Sequence, residues 1–534
     1  MATTQCPRCH YPQSFVVDKS AVEVRQEDIP ALRAEVQRLE DVIARLNDDR
    51  AVLLRRINDA QDATRNLPPE VLSHIFQFIR PPIDFSTHQI ASYRPHTPDS
   101  EGDTYDAEED YHYSLTGVSR RWRQIALSMP HLWTSIAVAA NNGSMEFKVS
   151  LLNFHFDNAR NIPISVELDF RDLEMSPRQD PASRAKCLAH IDPLMTAIFI
   201  DRPSHIRNLI LIRPPVEWLP LININFSRCD SVTISYPSFG PGWIEQFPSF
   251  MLDFTPLPCL QDVHLMDCGV PIILPQTTTS CRLLSSHVST CLDLLVHYPN
   301  LVTFESMEPE ALQIPWSYSL MGPMVLPFLE DLTWSNHTAD TNDAFVRFLQ
   351  FIRFARLRTL QWCDDKKHFP FRSLRLDFFS SLPNTLSSLT FNKCLFDSDE
   401  IIEELLYCVP QLSELHFIEC DPLTVNYAVR VIGRSFPESE DFQGSATIGN
   451  RPLGLKVLPN LREMSISDGE TLDVYEPGDF IEMFKALLAR GITERFFMSF
   501  IPGVDWDPDS LAEIRGVLSS GFNAKIDFGC RILE

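Results

Sequence analysis

The clearest hydrophobic pattern in the chain is a seven-residue repeat within residues 26–62. Leucine recurs at every seventh position, and the alternating position between the leucines is mostly isoleucine or valine. This spacing predicts one long helix with a narrow apolar seam. In the heptad positions labelled a to g, β-branched residues at a with leucine at d favour a coiled coil of two parallel helices. The predicted seam residues are Leu32, Val36, Leu39, Ile43, Leu46, Leu53 and Ile57.

Two charged positions oppose pairing between copies of this helix. Arg50 interrupts the a series, and Glu35 at g would face Glu40 at e of a parallel partner. Two interpretations of the seam therefore stay open. It joins two copies of the chain as a coiled coil, or it is the apolar face of an amphipathic helix that packs on the chain's own body.

A second apolar pattern follows the Leu-Pro-Pro-Glu sequence of residues 67–70, which is typical of a helix start. The predicted helix has two adjacent apolar stripes, at positions 71, 75 and 78 and at positions 72, 76 and 79. One stripe can face the core of its own domain. The other needs a further surface to cover it.

An acidic segment separates this helix from the next one. Residues 83–112 include seven carboxylates between Asp99 and Asp110, which predicts a disordered insertion. A second short helix is then predicted, with Val118 and Trp122 on its apolar face and three arginines off that face. The two helices would form one small domain.

From residue 206 onward a third pattern repeats along the chain. Its unit is an apolar residue, two variable residues, an apolar residue, one variable residue and a third apolar residue. Units that start at 301, 329, 357, 386 and 412 are separated by 28, 28, 29 and 26 residues. This period and core are the signature of leucine-rich repeats, in which stacked units build a curved parallel sheet.

The edges of the repeat array are less regular. Cys268, Cys394 and Cys420 close three of the units. The gaps 260–301 and 412–461 predict insertions or degenerate units, and 435–455 is predicted to be a loop. Two helices and one strand after residue 470 predict a cap at the C-terminal end.

Composition narrows the classes of function. Hydrophobic residues make up 44% and charged residues 22%, as in ordinary globular chains. The net charge of −25 argues against sequence-independent binding to nucleic acid. The absence of a long apolar run argues against a membrane span, and the cysteines do not resemble a disulfide framework, so a reducing compartment, cytoplasmic or nuclear, is expected.

Candidate chemistry is sparse. Cys6, Cys9 and His10 form a CxxCH sequence, but a zinc site needs a fourth ligand and none is close in sequence. Two interpretations stay open. The segment is a flexible tail with two thiols, or it is part of a zinc site that a second copy of the chain completes. No P-loop, GxGxxG, HExxH or GxSxG motif occurs, so we expect neither an enzyme nor a cofactor.

The two-helix segment resembles the F-box, and most closely the F-box-like domains common in mushroom-forming fungi. The resemblance rests on Leu67-Pro68-Pro69-Glu70, Ile75-Phe76, Val118 to Arg123 and Pro130 to Trp133, in that order. The acidic insertion between the two halves departs from the family pattern. The resemblance implies docking on a Skp-type adaptor and through it on a cullin, with contacts from Leu67, Pro68, Leu72, Ile75, Phe76, Val118 and Trp122. For each of these residues, packing inside the domain is the alternative.

Together these patterns predict a mixed α/β chain. Its predicted parts are a flexible tail (1–25), a heptad helix (26–62), an F-box-like domain (63–135) and a leucine-rich-repeat solenoid with a C-terminal cap (136–534). The expected function is target recognition in a Skp-cullin-F-box ubiquitin ligase, with the repeats binding an unknown protein. The alternative is a ubiquitin-independent interaction scaffold dimerised through the heptads.

Overall fold

The fold is described from a computed structural model. The described residues are 29–61, 64, 66–79, 115–116, 118–140, 144–173, 180–223, 226–236, 251–268, 270–307, 323–336, 351–364, 376–396, 399–433, 457–467, 475–490, 495–501, 506–527 and 532–533. The predicted tail with Cys6, Cys9 and His10, the acidic insertion at 83–112 and the predicted loop at 435–455 lie outside them.

The chain divides into two compact units, and from Pro130 onward the chain belongs to the second unit. The first unit contains helices α1 (Ile29–Gln61), α2 (Pro69–Ile79) and α3 (Arg120–Ser128). The helices of the second unit are α4 (Met145–Ala159), α5 (Pro181–Met195), α6 (Val288–His297), α7 (Leu376–Ser380), α8 (Asp399–Cys408), α9 (Pro422–Gly433), α10 (Pro477–Ala489) and α11 (Pro508–Ser519).

The second unit is organised around one sheet. The strands in chain order are β1 (Ser135–Ala139), β2 (Ile164–Asp169), β3 (Ile206–Ile212), β4 (Ser231–Ser235), β5 (Leu252–Asp253), β6 (Asp262–Met266), β7 (Ile272–Ile273), β8 (Ser280–Leu284), β9 (Thr303–Met307), β10 (Met324–Leu326), β11 (Asp331–Asn336), β12 (Ile352–Phe354), β13 (Thr359–Asp364), β14 (Ser388–Asn392), β15 (Glu414–Ile418), β16 (Glu463–Ser467), β17 (Phe496–Ile501), β18 (Ala524–Asp527) and β19 (Ile532–Leu533). Fifteen of them form the main sheet in chain order, and β5–β7 and β10–β12 form two separate pairs. Every neighbouring pair of the main sheet is parallel except β18 and β19.

The apolar positions of the sequence repeat line up across this sheet. Leu332 of β11 pairs with Leu360 of β13, which pairs with Leu389 of β14 and then with Leu415 of β15. Their side chains are buried. Because alternate residues of a strand point to opposite faces, the variable positions between them lie on the other face. The fold therefore confirms the predicted arrangement of stacked strand units with helices.

The strands also end in a repeated turn that the sequence pattern does not mark. The residue after β3, β6, β8, β14 and β15 has a positive φ between 48° and 55° in each case. Its backbone N–H donates to the last carbonyl of the next strand in the sheet, at 2.6–2.9 Å. These residues are Arg213, Asp267, Ser285, Lys393 and Glu419. None is glycine, so the left-handed conformation is imposed by the strand pairing rather than selected locally.

The three predicted closing cysteines occupy equivalent places immediately after this turn. Cys268, Cys394 and Cys420 are buried. Each thiol donates across to the preceding strand, to the carbonyls of Ile234 (3.7 Å), Trp362 (3.5 Å) and Phe391 (3.3 Å) respectively. The thiol thus ties each of these units to the one before it.

The irregular parts of the array resolve into further units. The gap between 260 and 301 contains β8, a degenerate unit whose strand pairs with both neighbours. Likewise β4 lies between β3 and β6. The predicted helices and strand of the C-terminal cap are present as α10, α11 and β18, and the cap also contains β17, which the pattern did not predict.

Candidate functional site

Helix α2 separates its two apolar stripes sharply. Leu72 and Phe76 are completely buried. Val71 is 41% exposed and Phe78 is 88% exposed, and Ile75 between them is half-buried. Since positions 71, 75 and 78 recur at helical spacing, they form one stripe that faces away from the core of the unit. We call Val71, Ile75 and Phe78 the outer stripe.

Trp122 of α3 fixes which stripe faces inward. Its ring centroid lies 4.8 Å from that of Phe76, with the planes inclined by 54°. The indole Nε1–H donates to Oγ1 of Thr64 at 2.8 Å, which satisfies the polar end of this half-buried side chain. Ser119 caps the start of α3, because its Oγ accepts the backbone N–H of Trp122 at 3.1 Å.

Arg121 holds the segment that leads into α2. Its guanidinium donates to the backbone carbonyl of Thr64 at 2.7 Å and also to the carbonyl of Leu67. The N–H of Leu67 donates to the same Thr64 carbonyl at 2.9 Å. A planar guanidinium can bridge two carbonyls in this way, so Arg121 fixes the position of Pro68 and the start of α2.

The predicted adaptor contacts divide into two groups. Pro68 and Val118 are exposed, and Leu67, Ile75 and Trp122 are half-buried. Leu72 and Phe76 are placed in the core, which is the alternative that the sequence left open for them. Side chains without exposed surface cannot touch a partner unless the helix moves, so we do not assign contacts to these two.

Three side chains of this candidate site are not among the residues that the sequence motif singles out. Val71 and Phe78 were recognised as apolar, but the family motif directed attention to the Ile75-Phe76 pair instead. Arg121 was placed off the apolar face, where it indeed lies, but its role as a clamp on Thr64 and Leu67 depends on a tertiary contact. The two-stripe pattern itself was the available signal for Val71 and Phe78.

Helix α1 presents its heptad seam to solvent. The six seam residues Leu32, Val36, Ile43, Leu46, Leu53 and Ile57 are each exposed by 48–57%, and Leu39 is half-buried. Among the described residues, most of this seam is therefore left uncovered. The seam remains a surface that a partner can cover.

In the second unit, the candidate surface is the face of the main sheet opposite the paired buried leucines. Its charged side chains between β6 and β16 are Asp262, Arg282, Glu305, Asp331, Glu414 and Glu463. Arg282 Nε lies 3.4 Å from Glu305 Oε2 across neighbouring strands. Burial, followed by the charge of Arg282, lowers the pKa of the adjacent His264 to about 4. We call this surface the variable face, and it is acidic.

Cys6, Cys9 and His10 lie outside the described residues, and the groups that can be described are the other cysteines and carboxylates. Within the described residues, no group of His, Cys, Asp and Glu side chains is placed to hold a metal ion. Burial raises the pKa of the thiols of Cys363 to about 11 and Cys291 to about 12, so neither is a ready nucleophile. None of the described helices has the length and apolarity to cross a membrane.

Comparison with known proteins identifies one part of the chain. At the level of whole sequences, no curated protein matches it. A family model described as F-box-like matches residues 64–139. The match begins at Thr64, the residue bound by both Trp122 and Arg121, and includes α2 and α3. The surface that carries the outer stripe therefore lies within an F-box-like domain.

Proposed function

We propose that this chain is the target-recognition subunit of a Skp-cullin-F-box ubiquitin ligase. The observation that carries the proposal is the outer stripe within the F-box-like match. F-box domains generally bind Skp-type adaptors, and α2 exposes a row of large apolar side chains where such an adaptor would dock.

The exposure pattern supports a protein partner at this stripe. Phe78 is 88% exposed, and it lies beside the exposed Val71 and the half-buried Ile75. Together they form a continuous apolar patch in contact with solvent, which is typical of a protein-binding site. Interfaces concentrate their binding energy in a few large side chains that become fully desolvated. We infer that Val71, Ile75 and Phe78 are the side chains at the centre of the adaptor interface. The margin of that interface would be formed by Pro68, Leu67 and Val118. The main role of Trp122 would be indirect, because it packs on Phe76 and so fixes the orientation of α2.

The repeat unit would hold the target. We interpret the stacked strands as leucine-rich repeats because the L-x-x-L-x-L core recurs in register across neighbouring strands. Solenoids of this kind bind proteins through the extended surface of their sheet. The variable face carries mostly carboxylates, so the proposed target presents a basic segment to it. Binding should then weaken as the salt concentration rises.

The proposed role involves no chemistry by the chain itself. Holding a target and a ligase on one chain raises the effective concentration of the target at the recruited ubiquitin-conjugating enzyme. This role requires no metal, cofactor or catalytic residue. It places the protein in the cytoplasm or the nucleus, where such ligases act.

The test is a titration of the full chain with a purified Skp-type adaptor, read by calorimetry. The informative variant carries Val71→Ser and Phe78→Ser, because these exposed side chains contribute little to folding. The matched control is Gln77→Ser, an exposed residue of the same helix that lies about 100° from Phe78 around the helix axis. The proposal predicts a complex with the parent and the control, and a large loss of affinity in the variant.

A correctly folded parent that binds no adaptor would refute the proposal. The ubiquitin-independent scaffold would then be the better function, because the acidic variable face and the seam of α1 do not depend on an adaptor. Unchanged affinity in the stripe variant would leave the ligase role in place but refute the docking surface.

A further inference from the structure

Helix α1 has a surface that neither the adaptor nor the target explains. It is 33 residues long, which corresponds to about 50 Å at 1.5 Å per residue. Its seam runs through both halves of the helix, and six of the seven seam residues are about half exposed. A long row of apolar side chains at heptad spacing requires another helix to cover it.

We propose that α1 pairs with α1 of a second copy as a parallel, in-register, two-stranded coiled coil. The seam places β-branched Val36, Ile43 and Ile57 at a and leucine at every d position from 32 to 53. That division between a and d is the one that selects parallel dimers over trimers and tetramers. The helix is identical in both copies, so one surface satisfies both partners.

Arg50 determines the register of the proposed pair. In a parallel coiled coil, a residue at a packs beside the g residue that precedes the equivalent a position of the partner. In register, that g residue is Asp49 of the partner subunit, whose carboxylate can neutralise Arg50. A shift of one heptad would instead bring Arg50 beside Val42 or Arg56. Only the in-register alignment gives each buried guanidinium a carboxylate.

The repulsion expected between Glu35 and Glu40 is reduced within each helix. Arg38 binds Glu35 with two hydrogen bonds, from Nε to Oε2 at 2.9 Å and from Nη2 to Oε1 at 2.6 Å. Glu35 therefore enters the interface as half of an ion pair rather than as a free anion. The main sequence argument against a parallel dimer is thus weakened by the structure.

A dimer of this kind would carry two outer stripes and two variable faces. A target with two basic segments, or an oligomeric target, would bind it far more tightly than a single face allows. The inference does not rest on the proposed function, because α1 carries none of the proposed adaptor or target contacts.

The first test is the mass of the full chain in solution, by size exclusion with light scattering at about 10 µM. The parent should have twice the monomer mass of 61.1 kDa. The variant Leu39→Asp with Leu46→Asp should have the monomer mass and keep the slow amide exchange of α2 and α3. The control Gln37→Asp with Ala44→Asp adds the same charges at b positions and should remain dimeric. A monomeric parent, or a dimeric seam variant, would overturn the proposal.

The second test distinguishes parallel from antiparallel pairing. In a background with Cys6→Ser and Cys9→Ser, the substitution Leu32→Cys puts one thiol near the helix start. Parallel chains bring the two thiols together, so mild oxidation should yield a disulfide-linked dimer. Ala34→Cys, on the outer side of the same turn, should not crosslink. No crosslink at 32, together with a crosslink between mixed Leu32→Cys and Ile57→Cys chains, would show antiparallel pairing, in which d residues face a residues, and would refute the proposed register.

Discussion

Two phenylalanines of helix α2 give a matched test of how this unit divides its apolar surface. Phe76 has no exposed surface, whereas Phe78, two residues later, is 88% exposed. Truncating each to alanine removes the same atoms from the same helix. The structure predicts opposite results for the two variants: Phe76→Ala should affect folding, and Phe78→Ala should affect binding.

The magnitudes follow from burial. Truncation of a fully buried phenylalanine costs about 3–5 kcal/mol, and Phe76 also loses its ring contact with Trp122 at 4.8 Å. A helical unit this small has only about that much stability, so Phe76→Ala should largely unfold it. Phe78→Ala should change stability by less than about 0.5 kcal/mol. If the adaptor covers this ring, its loss removes about 1.5–3 kcal/mol of binding, or about 10- to 150-fold in Kd.

The assays keep these two effects apart. Amide hydrogen exchange of α2 and α3 in the full chain reports local stability without interference from the repeat unit. Calorimetric titration with a purified Skp-type adaptor reports binding, and Gln77→Ala, an exposed neighbour, is the control for both. Exchange in α2 that stays slow in Phe76→Ala would contradict the assigned core. A Kd in Phe78→Ala within twofold of the parent would contradict the outer stripe as the docking surface.

Three further predictions concern single side chains. Arg121→Lys cannot bridge the Thr64 and Leu67 carbonyls, so exchange of the Leu67 amide should accelerate by about 5- to 30-fold, as expected for a loss of one or two kcal/mol. Lys393→Gly removes a side chain at φ 55°, so the melting temperature should rise, whereas Lys393→Val should lower it. His264 has a folded pKa of about 4 against 6.5 unfolded, so stability should be full above pH 6.5 and fall towards pH 4. Between pH 7 and pH 5 the loss, measured by urea unfolding, should be about 2 kcal/mol larger in the parent than in His264→Gln.

The strand units were largely predictable because their signal is repeated. An apolar ladder that recurs every 26 to 29 residues specifies both the strand and the face that it buries. The left-handed turns that follow the strands were not predictable. Lys393 and Glu419 carry no local preference for positive φ, and only pairing with the next strand produces that conformation. Strand β8 lies in the gap for which a degenerate unit was predicted, whereas β4 was not predicted.

The outer stripe of α2 shows a different limit of prediction from sequence. Both stripes of α2 are apolar, so hydrophobicity alone cannot decide which one faces the core. That choice depends on Trp122, which packs on Phe76, and on Arg121, which fixes the chain before α2 through Thr64 and Leu67. Both residues lie more than 40 positions away along the chain. Once they select Phe76 for the core, Phe78 must remain outside, because adjacent stripes of one short helix cannot both face one partner helix. The exposure of Phe78 is thus a consequence of the packing.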